Sequence, residues 1–365
     1  MRVSAGREPC GTDSLPSAAC IPPRGVQATM MTSSMVRRQW IAASHALLMT
    51  ALVLGAESPL QPPLGLDAFM PVPADNSLTQ EKVALGRRLF LDPILSVDHS
   101  ISCSSCHDAE MSFTDDRPKA VGVFDRVGSR RVPKLLNRGY GRSFFWDGRI
   151  PTLEEQVLQP VINSLEMDLT LAEAIERLNA DPGYASEFRE VFGRQPDQTN
   201  LAHALASYVR TIVSGDSRYD RYVAGDAGAL DEVERLGLSV FRNKGNCVTC
   251  HLGPNLTDER FHNTGVAFNG GRFDDDGRFI ATGRETDRGA FKTPTLRNVA
   301  ETAPYMHDGS LQTLRDVIDD YNEGGTQNPH LDREMRKLGL TEAEKAALEA
   351  FLKTLTGTVR EGLRP

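Results

Sequence analysis

Tryptophan is nearly absent from this chain: two stand among 365 residues, Trp40 and Trp146. No low-complexity tract and no run of six like charges occurs, and the formal net charge is −8. A nucleic-acid groove needs clustered lysine and arginine to neutralise phosphates, so that function class is excluded. The apolar run from Ile41 to Leu54 falls short of the ~20 residues a membrane span needs. It follows Arg37 and Arg38 and precedes the small residues Gly55 and Ala56. That is the pattern of a secretory signal cleaved near Ala56. The mature protein is therefore expected in the periplasm and not as an integral membrane protein. Met30, Met31 and Met35 are all candidate starts, so Cys10 and Cys20 fall outside the mature chain. Without residues 1–56, 36 basic and 47 acidic residues remain, a net of −11. The length allows about two domains.

Cysteine is then scarce as well. Cys103, Cys106, Cys247 and Cys250 remain. An even count in an oxidising compartment admits two disulfides, and two Cys-x-x-Cys pairs admit a zinc ribbon. Their neighbours favour a third reading. "CSSCH" spans Cys103 to His107, and "CVTCH" spans Cys247 to His251. Two thiols at this spacing add to the vinyl groups of one porphyrin, and the adjacent histidine ligates its iron. Cys106 and Cys247 have 140 residues between them, too many for one ribbon motif. Two covalently bound c-type haems are expected, with His107 and His251 as iron ligands.

Each motif follows a predicted helix. "SLTQEKVALGRRLF" places Ser77 and Gln80 at capping-box spacing, with apolar Val83, Leu85, Leu89 and Phe90. "DEVERLGLSVF" offers Val233, Leu236, Val240 and Phe241. Gly86 and Gly237 stand at matching places, for close packing.

The repetition extends further. "PKLLNRGYGRSFFWDGRIPTLEEQVLQP" (133–160) aligns without a gap on "PTLRNVAETAPYMHDGSLQTLRDVIDDY" (294–321), with seven of 28 positions identical. Trp146 falls on His307 and Pro160 on Tyr321. A later segment of a c-type domain crosses the open haem face. Tyr321 can ligate iron there; Pro160 has no donor atom. Haem 1 is thus expected open to peroxide and haem 2 closed by a phenolate. Glu166, in "NSLEM", is the acid placed to move protons on H2O2, although a solvated loop carboxylate is the commoner role. Gln156 can hydrogen-bond in the same pocket or lie on a helix surface. Trp146 can be core or an electron relay.

With "LGRRLFLDPILS", "FFWDGR", "LEEQVLQP", "FKTPTLRNV" and "APYMHDGSLQTLRDVIDDY", the chain resembles the bacterial di-haem cytochrome c peroxidase superfamily, in particular its MauG-like branch, from about Ser77 to Thr356. The resemblance implies a mainly α fold of two cytochrome c-like haem domains related by an internal repeat. Residues 57–225 would form the peroxide-reactive domain and 226–365 the electron-transfer domain. By resemblance, Glu166 and Gln156 match the distal acid and amide, Trp146 the tryptophan between haems, and Tyr321 the axial ligand. Ordinary members carry methionine at that ligand position, which raises the potential; a phenolate should favour oxidised iron. Many also carry a distal histidine sixteen residues after the first haem histidine, where this chain has Val123. The family's interdomain calcium would use the carbonyls of Thr302 and Pro304. Its asparagine ligand falls at Arg131, and an arginine side chain cannot ligate calcium.

The resemblance implies oxidoreduction with H2O2 and an electron-donor protein (a small cytochrome c or cupredoxin) or a protein substrate. Two alternatives stand beside the MauG-like reading: an ordinary peroxidase detoxifying H2O2, and a non-catalytic electron carrier.

Overall fold

The computed structural model describes residues 60–363. The expected signal segment, with Cys10 and Cys20, lies outside them. Eleven helices among the described residues carry the fold. They are α1 (Gln80–Leu91), α2 (Leu153–Gln156), α3 (Gln159–Ile162), α4 (Leu171–Ala180), α5 (Pro182–Phe192), α6 (Gln198–Arg210), α7 (Arg218–Val223), α8 (Glu232–Arg242), α9 (Phe279–Thr282), α10 (Leu314–Glu323) and α11 (Glu342–Lys353). Six strands of two or three residues pair only as antiparallel ribbons: β1 (Val213–Gly215) with β6 (Thr358–Arg360), β2 (Phe261–His262) with β5 (Phe291–Lys292), and β3 (Phe268–Asn269) with β4 (Arg272–Phe273). The fold is mainly helical, as expected. No helix among the described residues is long and apolar enough to cross a membrane.

Two helix pairs organise the core. Gly86 lets α1 press onto α6: a Cβ there would lie 2.0 Å from the Ala204 carbonyl oxygen. Gly237 does the same for α8 on α11, where a Cβ would lie 1.9 Å from the Ala347 oxygen. Around the first pair Leu85, Leu89, Phe90, Leu205 and Tyr208 are buried in one apolar cluster. Around the second, Leu238, Phe241, Leu348 and Phe351 form another. Both clusters lie within one compact unit. Leu363 returns to the first cluster, and β6 pairs with β1, so the C-terminal segment crosses back.

Two local expectations need correcting. The α1 cap is Thr79, whose hydroxyl accepts from the Lys82 N–H, not Ser77. Thr79 is the last extended residue before the helix (φ −130, ψ 158), and a cap sits there. On α8, Val233 and Leu236 are exposed, while Leu238, Val240 and Phe241 are buried. The face is fixed by contact with α11 at Gly237, not by apolarity alone.

The stretches 133–160 and 294–321 share local backbone features at one constant spacing. Asn137 and Asn298 both take left-handed φ (61 and 55), as do Phe145 and Met306 (65 and 70) and Gly148 and Gly309 (65 and 68). Bridges pair Phe144 with Ile150 and Tyr305 with Leu311. Thr152 caps α2 and Thr313 caps α10. Then the stretches diverge. α10 runs unbroken to Glu323 and closes at Gly324 (φ 85), carrying Tyr321 in its last turn. The first stretch is broken into α2 and α3. Pro160 has no N–H to give the Gln156 carbonyl, and its ring crowds that carbonyl, so a continuous helix is excluded there.

Candidate metal centres

Each Cys-x-x-Cys-His motif coils into a 3₁₀ turn, Cys103–Ser105 and Cys247–Thr249, which brings both sulfurs and the histidine to one side. The two pairs open into different cavities of ≈ 220 Å³ each. Four thiols that line separate cavities cannot form one zinc ribbon, and all four are free of disulfides.

The histidines are held alike. His107 Nδ1 lies 3.0 Å from the Phe113 carbonyl oxygen, and His251 Nδ1 lies 3.1 Å from that of Leu256. Nδ1 therefore carries the proton, and Nε2 keeps its lone pair for a metal. Burial pushes both imidazoles down to about 4, so they stay neutral. Burial likewise pushes the Cys103 and Cys247 thiols up to about 12. Two neutral thiols, one neutral imidazole and apolar walls are the donor set that haem requires. A smaller cavity of ≈ 140 Å³ adjoins both and is lined by Lys134, Lys292 and Arg138, of which Lys292 and Arg138 pair with Glu259 at 2.7 and 2.9 Å. The thiols and imidazoles fit the group.

The first cavity brings together Gln156, Pro160 and Glu166 with Cys103, Cys106 and His107. Gln156 ends α2, Pro160 lies in α3, and Glu166 follows in a turn whose N–H donates to the Asn163 carbonyl at 2.9 Å. Asn163 Nδ2 also donates to Glu166 Oε1 at 2.6 Å. Burial raises the Glu166 pKa; the Asn163 bond and the Arg149 charge oppose that rise. Val123 is buried, and its N–H donates to the Glu166 carbonyl at 2.8 Å.

The second cavity is lined by Cys247, Cys250, His251, Met306, His307 and Tyr321. Burial, with Asp320 and the two cysteine sulfurs nearby, raises the Tyr321 phenol, so without a metal it stays protonated. Trp146 lines all three cavities. Its indole N–H donates to the Arg131 carbonyl at 2.9 Å, and its own carbonyl accepts from Lys292 N at 2.8 Å.

The calcium expectation fails at Thr302 and Pro304. Both carbonyls already accept from the Arg131 guanidinium, that of Thr302 at 3.1 Å. A divalent ion placed there would face a fixed positive charge, so the residues do not fit calcium.

Three features escape the sequence reading. Met335 lines the second cavity and offers a second thioether. His262 sits beside Cys250, bonded to Asp332 at 2.5 Å and to Asp258 at 3.0 Å. The Asp332 bond leads in raising His262 to about 11. Arg130, on the first cavity, bridges Asp147 and Asp275, each at 2.7 Å. None carries a local motif, because Asp332 reaches His262 and Asp275 reaches Arg130 from distant segments.

Comparison with known proteins matches residues 80–228 to the family described as di-haem cytochrome c peroxidase. The methylamine utilization protein MauG of Methylorubrum extorquens is 40% identical over 290 residues, 78% of this chain and 81% of the relative. The cytochrome c551 peroxidase of Nitrosomonas europaea is 36% identical over 315 residues, 86% of this chain and 88% of the relative. The crystal structure of a MauG-like protein associated with microbial copper homeostasis superposes with TM-score 0.72 at 35% identity, covering 83% of this chain and 95% of that one.

Proposed function

This chain belongs to the di-haem cytochrome c peroxidase family and is a peroxidase-type oxidoreductase, and from that premise we propose that it is a periplasmic, MauG-like enzyme with two unequal c-type haems. Domain 57–225 would hold one haem through Cys103, Cys106 and His107. Domain 226–365 would hold the other through Cys247, Cys250 and His251, with Tyr321 as second iron ligand. The observation that carries this reading is the asymmetry of two otherwise matching stretches: Pro160 on the first cavity, Tyr321 on the second.

Bound haem would supply an iron site for peroxide and a store of electrons. The chain's residues do the rest. H2O2 takes up two electrons and two protons and leaves as two waters. Glu166 accepts the proton of the entering peroxide and returns it to the departing oxygen. Asn163 fixes the carboxylate, and Gln156 offers an amide on the same wall. Pro160 offers the first cavity no donor atom where the second has Tyr321, and Val123 supplies none. Trp146, touching both cavities, carries electrons between them. These come from a donor protein at the surface, a small cytochrome c or cupredoxin, or from a protein substrate.

Met306 and Met335 favour a second reading, an ordinary peroxidase with thioether ligation, because both line the second cavity. Optical and paramagnetic resonance spectra of the resting protein and of Tyr321→Phe, Met306→Leu and Met335→Leu separate the two. The MauG-like reading expects one high-spin and one low-spin ferric signal, with only Tyr321→Phe changing the low-spin one. Loss of a sulfur-to-iron band in either methionine variant, with Tyr321→Phe unchanged, rejects it.

A further inference from the structure

One buried guanidinium lines both the first cavity and the smaller one. Arg131 is 4% exposed. Nη2 donates to the carbonyls of Asp115 at 2.7 Å, Ala303 at 3.0 Å and Thr302 at 3.1 Å. Nε donates to Pro304, and Nη1 donates to Thr114 Oγ1 at 3.1 Å and the Val132 carbonyl at 3.4 Å. Asp115 Oδ1, which has no hydrogen-bond partner, lies 3.7 Å from Nη1, while Oδ2 of the same carboxylate pairs with Arg117 at 2.7 Å, so the counter-charge is shared. Five carbonyls and a hydroxyl therefore converge on one cation.

Such a shell of oxygens is what a hard divalent ion collects, but at 2.3–2.6 Å and with 6–8 ligands as roughly typical values. Here the spacing suits N–H donors, and the centre is filled. The main chain of the same residue reaches further. Arg131 N–H donates to the His307 carbonyl at 2.7 Å, and the Arg131 carbonyl accepts the Trp146 indole N–H at 2.9 Å. The side chain pins 302–304, and the backbone pins the aromatic residue common to all three cavities.

We propose that Arg131 is a built-in cation: its guanidinium takes the place of an interdomain metal ion, and it positions Trp146 between the cavities. Arg131 is a positioning residue. Its effect on electron sharing rests on the function proposed above; its replacement of a metal does not. Removing it leaves at least five acceptors buried without a donor, which is costly for each group. A truncated side chain that is itself an oxygen donor, as in Arg131→Asn, would turn the cage into a cation site.

The holoprotein tests this directly. After desalting, elemental analysis should find iron but calcium well below one atom per chain, and EGTA should leave its melting temperature and haem spectrum unchanged. Arg131→Asn should melt lower by roughly 5–15 °C and should recover part of that loss on adding calcium chloride. In the same variant the spectral response of the second haem to peroxide should slow by roughly tenfold or more, as a misplaced positioning contact does. Calcium should restore that rate too. About one calcium per wild-type chain, removed by EGTA with a fall in melting temperature, overturns the proposal. So does an Arg131→Asn protein that melts like wild type. If Arg131→Asn does not fold, the wild-type calcium and EGTA measurements decide alone. If wild type shows no second-haem response to peroxide, the MauG-like reading fails, while the calcium and melting measurements still judge Arg131.

Discussion

Glu166→Gln separates chemistry from stability more cleanly than any other change in the first cavity. The amide keeps the shape and can still accept the bond from Asn163 Nδ2, now 2.6 Å long on Oε1. What it loses is the proton. A positioned general base contributes roughly 10²–10⁴-fold, or about 3–5 kcal/mol of barrier. Stopped-flow mixing with H2O2 should show that loss while both haem spectra stay intact. The pH dependence follows from burial, which raises the Glu166 pKa from its ordinary value. Only the ionised form takes a proton from peroxide, so the wild-type rate should climb as pH rises through that elevated value. The rate of the Glu166→Gln variant should be slow and flat. Stability should move the other way. With its folded pKa raised, Glu166 binds its proton more tightly folded than unfolded. Its stabilising contribution is full below the unfolded value and is lost as pH rises through the folded one. Glutamine escapes that loss, so the variant should melt no lower than wild type at neutral pH. Unchanged peroxide kinetics would reduce Glu166 to a cavity-wall carboxylate and refute the proton-transfer role.

The packing glycines give a second expectation: Gly86→Ala and Gly237→Ala each force a methyl onto a facing helix backbone and should destabilise by roughly 1–3 kcal/mol or more, read as a lower denaturation midpoint; two variants as stable as wild type would show that the helix pairs can separate freely. A third concerns Arg297, 2% exposed, which pairs with Asp220 Oδ2 at 2.7 Å. Asp220→Ala strands that charge and should cost roughly 3–5 kcal/mol in chemical denaturation, whereas a loss within experimental error would mean that water or the Pro254 and Gly65 carbonyls satisfy the guanidinium alone.

What the sequence reveals is what chemistry writes locally. Cysteine-to-histidine spacing is fixed by the porphyrin, so both attachment motifs stand out with no knowledge of the fold. Gly86 and Gly237 are equally legible, because only hydrogen fits between crossing helices. The constant register between 133–160 and 294–321 allows Pro160 and Tyr321 to be compared as positions. Illegible are the contacts assembled by folding. His262 gains its partner Asp332 from a segment seventy residues away. Met335 reaches the second cavity from the loop after α10, where a Cβ on Gly325 would lie 2.9 Å from its methyl carbon. Arg131 is legible as a departure from the family pattern, but its identity alone does not reveal that the guanidinium fills the cage. A side chain that cannot ligate an ion can still stand in for it, and only the converging oxygens show this.

The two cavities differ by more than the residues at 160 and 321. Tyr321, in the last turn of an unbroken α10, lines the same cavity as Cys247 and His251. Pro160 cannot sit in such a helix, because it has no N–H and crowds the Gln156 carbonyl. The break it forces ends α2 at Gln156 and starts a turn through Asn163 that delivers Glu166 to the same cavity. One residue thus removes a donor atom and, through the backbone, brings in an amide and an acid. Replacing Pro160 by a ligating residue would therefore not by itself rebuild the second cavity in the first. The α2–α3 break is held by other bonds as well, among them Met167 N–H to the Pro160 carbonyl at 3.1 Å and Leu169 N–H to the Val161 carbonyl at 2.9 Å. The difference between the two stretches lies in a helix break as well as in the residues at 160 and 321.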